Sequence, residues 1–170
     1  GTMALRGADV DLRNSRSSAH HADIVASGSF GADNAKLVTA GDLQVQARNL
    51  GNAGGTLYAG GDATLRTTQA FSSTGTVAAA GDLSVTAGSV NSSGMLAAGL
   101  GGDGQLQNPS MGGASLTVES AGALRAAGRN LAAGAMALGG SDVDLGASQS
   151  SAHGVTLVAT GALRTDGAGL

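Results

Sequence analysis

Three segments of this chain recur at a fixed interval: AGDLQV at Ala40–Val45, GGDATL at Gly60–Leu65 and AGDLSV at Ala80–Val85, spaced by 20 residues. A period of that length is the signature of one supersecondary unit stacked on copies of itself. The first apolar residue after each aspartate gives anchors at Leu43, Ala63 and Leu83. The same register takes in Val10, Phe30, Leu124, Val143 and Leu163, with Leu106 as a looser member, at a mean spacing of about 19 residues. Within a unit, apolar marks recur about every seven residues: Leu43, Leu50 and Leu57; Leu83, Val90 and Met95–Leu96; Leu124, Leu131 and Leu138. Inside each short segment the period is two, with Leu43 and Val45 pointing one way and Gln44 and Gln46 the other. Three short strands per turn predict a solenoid of triangular cross-section.

A longer repeat accompanies the short one. Residues 1–37 align without a gap onto residues 134–170, so GTMALRGADVDL faces GAMALGGSDVDL at an offset of 133. Read as seven periods of 19, this offset requires a coil short by one side between Phe30 and Leu43 and a long stretch after Leu83. The excess falls in LGGDGQLQNPSM, Leu100–Met111, which holds the single proline, and predicts an inserted loop over residues 98–112. About eight coils of 19–20 residues remain, in one unit spanning residues 1–170. Stacked at about 4.8 Å, they form a rod of roughly 40 Å. Neither end carries a polar capping coil, and the expectation is a piece of a longer solenoid.

Composition excludes the alternatives. Charged residues are only 12% and apolar residues 42%, the reverse of a disordered chain. Two Phe, one Tyr and no Trp leave no aromatic ballast for an ordinary globular core, whereas 30 glycines suit repeated corners. A net charge of −3 without a basic cluster argues against nucleic acid. No apolar run reaches the roughly 20 residues of a membrane helix, and membrane insertion is not expected. The chain has no cysteine for disulfides or thiolate metal sites.

GDLQVQARNLGNAGGTLYAGGD, from Gly41 to Asp62, resembles the haemagglutinin repeat of filamentous haemagglutinin-type exoproteins, as do Gly81–Ala97 and Gly122–Leu138. The first coil, the Ser141–Val158 coil and the Leu100–Met111 loop depart from that pattern. The resemblance implies an all-β, single-stranded right-handed parallel β-helix in the shaft of a large two-partner-secretion protein. The general preference for right-handed crossovers agrees. It further implies an extracellular or cell-surface location, an outer-membrane transporter as secretion partner, and a host glycan or protein receptor for the full-length protein. Contact-dependent toxin-delivery proteins share such stalks. The repeat brings no catalytic residue and no cofactor.

Several residues invite a site. Asp42, Asp62 and Asp82 share one register position and form a candidate metal column, which Asp103 extends if the insertion keeps register. The simpler expectation is that each aspartate bonds its own corner backbone. Arg125, Asp144 and Arg164 predict an outward ladder of alternating charge. His20 and its repeat-equivalent His153 fall seven coils apart, too far for a shared site, and His21 stands beside the first. β-Helices also host polysaccharide lyases and hydrolases, which need carboxylates converging on one face. Here Asp9 and Asp11 face Ser29 and Gly31, and Asp142 and Asp144 face Ala162 and Arg164, so no enzyme is expected. Asp103, Gln105, Gln107, Asn108 and Pro109 of the insertion are the expected contact residues, because solenoid insertions map to one exposed face.

Overall fold

The computed structural model describes residues 1–110 and 112–170; Met111, at the end of the predicted insertion, lies outside the described residues. All regular structure in it is β. Strands Thr2–Gly7, His21–Ala26, Leu43–Ala47, Ala63–Thr67, Leu83–Ala87, Leu116–Ser120, Ala135–Gly140 and Gly154–Ala159 form sheet A. Sheet B contains Val10–Asp11, Ser29–Gly31, Asn49–Asn52, Ala70–Ser73, Ser89–Ser92, Leu124–Ala126, Val143–Asp144 and Leu163–Arg164. Sheet C contains Arg16–Ala19, Lys36–Thr39, Thr56–Ala59, Thr76–Ala79, Met95–Ala98, Arg129–Ala132 and Gln149–Ser151. Every strand pairs in parallel with its counterparts in the coils above and below, giving a three-sided solenoid of about eight turns.

Period-two alternation sets what fills the interior. Sheet A points Leu43, Ala63, Leu83 and Leu116 inward in one column and Ile24, Val45, Leu65 and Val85 in the next. Sheet B contributes Phe30, Leu50, Phe71, Val90, Leu124 and Val143, each at most 3% exposed. The two columns compensate coil by coil. Ala22 shares a coil with Phe30 and Ala63 with Phe71, whereas Leu43 goes with Leu50 and Leu83 with Val90. A narrow interior at native density accepts one large and one small side chain, or two of middle size.

This register corrects several expectations. Leu43, Ala63 and Leu83 lie on sheet A, but Val10, Phe30, Leu124, Val143 and Leu163 lie on sheet B. Phe30 stacks on Leu50, so the supposed short coil is a change of side and not a shortened turn. The three apolar marks of a coil look alike in sequence, which conceals a slip of one side. Leu131 is likewise an outward residue of sheet C, between inward Asn130 and Ala132. The path from Val10 to Val143 takes six coil steps, not seven. Five advance by 19 to 21 residues, and the step from Val90 to Leu124 covers 34 because it contains the insertion. Leu106 anchors no coil and instead bridges antiparallel to Leu100.

Corner glycines fix the coil spacing. A Cβ on Gly75 would strike the carbonyl of Gly55, one on Gly94 that of Gly75, and one on Gly128 that of Gly94. Successive backbones approach too closely at this corner for any other residue.

Candidate functional site

The corner aspartates have a structural task between coils. Asp42 Oδ1 accepts the Asp62 N–H at 3.0 Å, Asp62 Oδ1 the Asp82 N–H at 2.9 Å, and Asp82 Oδ1 the Ser115 N–H at 2.7 Å. The bond runs to the following coil rather than to the residue's own turn, which corrects the simpler expectation. The first place in the column belongs to His21, whose Nδ1 accepts the Asp42 N–H at 3.0 Å. Asp9, Asp33 and Asp142 repeat the device on Ser29, Ala53 and Ala162, each at 2.7 Å. Among the described residues, no three His, Cys, Asp or Glu side chains are grouped to hold a metal ion.

Asp103 stands outside this column. Its Oδ1 accepts the Gln105 N–H at 3.0 Å and Gln107 Nε2 at 3.3 Å, closing a turn within the insertion. His20 packs edge-on against His21 with ring centroids 4.5 Å apart, and six coil steps, not seven, separate it from His153. At one strand spacing per step they are about 29 Å apart. Arg125, Asp144 and Arg164 are neighbours in register, and Arg125 Nε lies 3.8 Å from Asp144 Oδ2. Both side chains are well exposed, so the pair contributes ~1 kcal/mol or less. Arg13 clamps Asp11 at 2.6 Å through Nη2, and its hydrogen bonds lower the Asp11 carboxyl to a pKa of about 2. Asp11 faces Gly31 across the coils, and Asp9 faces Ser29.

The insertion leaves the coil path with residues 102–105 and 107–110 exposed, yet its first residues bend back onto the solenoid. Leu100, Gly101, Gly102 and Gly104 lie against the outer face of sheet C. Leu100 donates its N–H to the Ala79 carbonyl at 2.8 Å, and Ser110 donates to that of Ala133 at 2.8 Å. Gln107 donates its N–H to the Gly99 carbonyl at 2.6 Å. Asn108 adopts a positive φ of 44°, and Gln105, Gln107, Asn108 and Pro109 remain exposed.

What the loop covers was not anticipated. Outward residues of sheet C form an apolar column in register: Val38, Tyr58, Ala78, Ala97 and Leu131. Ala78 and Ala97 are outward yet fully buried, and Ala78 adjoins Leu100, Gly101 and Gly102 of the insertion. The Tyr58 hydroxyl donates to the Leu100 carbonyl at 3.1 Å, across 42 residues of sequence. Burial, together with the nearby Asp103 carboxylate, raises the Tyr58 phenol above its ordinary pKa. Beside this contact a cavity of about 300 Å³ opens between the sheet and Leu100–Gly104, with Lys36, Val38, Thr56, Tyr58 and Thr76 on its sheet side. The available signal was Val38, Tyr58, Ala78, Ala97 and Leu131, apolar at positions where a solvated face is polar.

Two of the larger concavities lie on the other two sheets. One of about 560 Å³ runs over Gly31 and Gly51 of sheet B, edged by Asp9, Asp11, Arg13 and Asp33. The other, of about 420 Å³, lies on sheet A near Glu119, Gly139 and Val158.

The model of the haemagglutinin repeat matches residues 6–47, 38–128 and 100–170, essentially the whole chain. No curated protein and no solved structure matches. A chain matched over nearly its entire length by this repeat, and folded as one stack of parallel coils, is a member of the haemagglutinin-repeat family.

Proposed function

We propose that this chain is a structural shaft segment of a bacterial filamentous adhesin, holding distal binding regions away from the cell. The observation that supports this most strongly is the accounting of its charged groups. Six corner aspartates accept backbone N–H groups of the next coil, and Arg6, Arg13 and Arg125 pair with Asp23, Asp11 and Asp144. Among the described residues no three His, Cys, Asp or Glu side chains are grouped to hold a metal ion, and we read the chain as non-enzymatic. A rigid rod whose coils hydrogen-bond only to their neighbours gives reach at little cost in sequence specificity. The family is typical of secreted or surface adhesins. We accordingly assign the parent an extracellular or cell-surface location, secretion through an outer-membrane transporter, and a host glycan or protein receptor. Nucleic acid and membrane insertion have no part in this reading.

One excision tests it. Ala135 pairs with Gly154, so removing residues 135–153 deletes a whole coil while keeping the stack in register. In the full-length protein, with surface display matched, attachment to host cells is expected to stay unchanged. A large drop would contradict the shaft reading and favour a direct binding face. Growth inhibition of neighbouring bacteria by the parent would instead identify the stalk of a toxin-delivery protein.

A further inference from the structure

The loop-walled cavity brings together residues that the sequence keeps far apart. The single tyrosine, the single lysine and the single proline-bearing insertion meet on the outer face of sheet C. We propose that this cavity is a binding site for a carboxylated monosaccharide unit. The proposal goes beyond the shaft reading and does not depend on it.

Size sets the first limit. A volume of about 300 Å³ is at the small end for ligand pockets and suits one sugar ring rather than a folded partner. The floor is apolar, formed by the half-buried Val38 and Tyr58 in consecutive coils. Such a surface accepts the C–H face of a pyranose, and the aromatic ring supplies the best part of it. Two hydroxyls, Thr56 and Thr76, stand in adjacent coils in the neighbouring outward column. Their spacing of about one strand separation matches hydroxyls across a sugar ring. Opposite them, Gly101, Gly102 and Gly104 present a wall of backbone without side chains. A Cβ on Gly102 would lie 3.9 Å from the Tyr58 hydroxyl, so packing does not require that glycine, whereas Gly104 holds a positive φ of 77° that itself favours glycine.

Charge selects the acid. Lys36 is at the sheet edge of the cavity and forms no ion pair among the described residues. Its ammonium is available for a ligand carboxylate. Asp103 acts from the loop side, where its field reaches Tyr58, and opposes a second anion there. The ligand carboxylate is thereby directed to Lys36. The Tyr58 hydroxyl is already engaged by Leu100, which fixes the ring before any ligand arrives. A fixed floor reduces the entropy lost on binding.

The test is an NMR titration of the isotope-labelled chain with N-acetylneuraminic acid and with glucuronic acid, using N-acetylglucosamine as neutral control. Saturable shifts centred on Val38, Tyr58 and Gly102 are expected with at least one acid, with a Kd on the order of 1 mM. Whichever acid binds more tightly identifies the sugar class. Lys36→Gln is expected to weaken binding about tenfold and Lys36→Arg to retain it, as for one charge-assisted contact. Amide shifts in the C-terminal coils report that each variant is folded. Equal affinity for the neutral sugar, unchanged affinity in Lys36→Gln, or the absence of saturable shifts in the cavity would overturn the proposal. None of these results bears on attachment of the coil-deleted protein.

Discussion

Residues 1–37 and 134–170 are two copies of one sequence placed six coils apart in one rod, and they differ in instructive ways. Both use the corner aspartate alike: Asp9 and Asp142 each accept the next coil's N–H at 2.7 Å. Both direct a valine inward on sheet B, Val10 and Val143. They part on the surface. Asp11 is clamped by Arg13, but the equivalent of Arg13 is Gly146, so Asp144 accepts the Gly146 N–H and pairs with Arg125 of the preceding coil. At the corner, Asn14 and Ala147 both adopt positive φ, 58° and 61°. The skeleton of a coil therefore resides in a few positions that bond or pack to its neighbours. The exposed positions are free to vary, and surface chemistry can change along the shaft without altering its geometry.

The largest expected contrast concerns packing. Phe30 is 1% exposed and its equivalent Leu163 is 49% exposed. Phe30→Ala is expected to cost about 3–5 kcal/mol in urea unfolding, and Leu163→Ala about 1 kcal/mol or less. Comparable losses at the two sites would break the account of the core. The corner aspartates come next, in the opposite sense. Asp9→Ala and Asp142→Ala should each cost about 1 kcal/mol, because both remove the same inter-coil bond. Unequal costs would show that the copies are not equivalent there.

A smaller effect is expected at the positive-φ corner. Asparagine tolerates that conformation better than alanine. Ala147→Asn should raise stability by about 0.5–1 kcal/mol and Asn14→Ala should lower it similarly, read as opposite shifts in Tm. The smallest effect is electrostatic. Arg13 holds the Asp11 carboxyl at a pKa of about 2, below the usual 3.8. A depressed folded-state value means that the contribution is present above about 3.8 and is lost as pH falls through about 2. A carboxyl NMR titration should find Asp11 shifted in the native chain and restored in Arg13→Ala.

Most of the fold was legible because solenoid coils are specified locally. The GDL corners, the two-residue alternation and the glycine clusters each imply a strand or a corner without reference to the rest of the chain. Side identity was not legible. Leu43, Leu50 and Leu57 look alike in sequence but belong to three different sheets, so anchors from sheets A and B merged into one apparent column. The insertion was found from its excess length and its proline. Its fold-back onto Tyr58 depends on contacts 42 residues apart, which no local pattern encodes. Asp42, Asp62 and Asp82 were placed correctly in a column, but the direction of their bonds needed the stacking geometry.

The central claim is the coil register, in which Phe30 stacks on Leu50 and Gly31 therefore lies beside Gly51. Paired cysteines test it directly in this cysteine-free chain. Gly31→Cys with Gly51→Cys places two outward residues one strand spacing apart, within disulfide reach. Gly31→Cys with Gln44→Cys pairs the residues that a short coil from Phe30 to Leu43 would bring together. Mild oxidation is predicted to cross-link the first pair within one chain and leave the second reduced. Cross-linking of the second pair and not the first would contradict the register and the three-sided solenoid built on it.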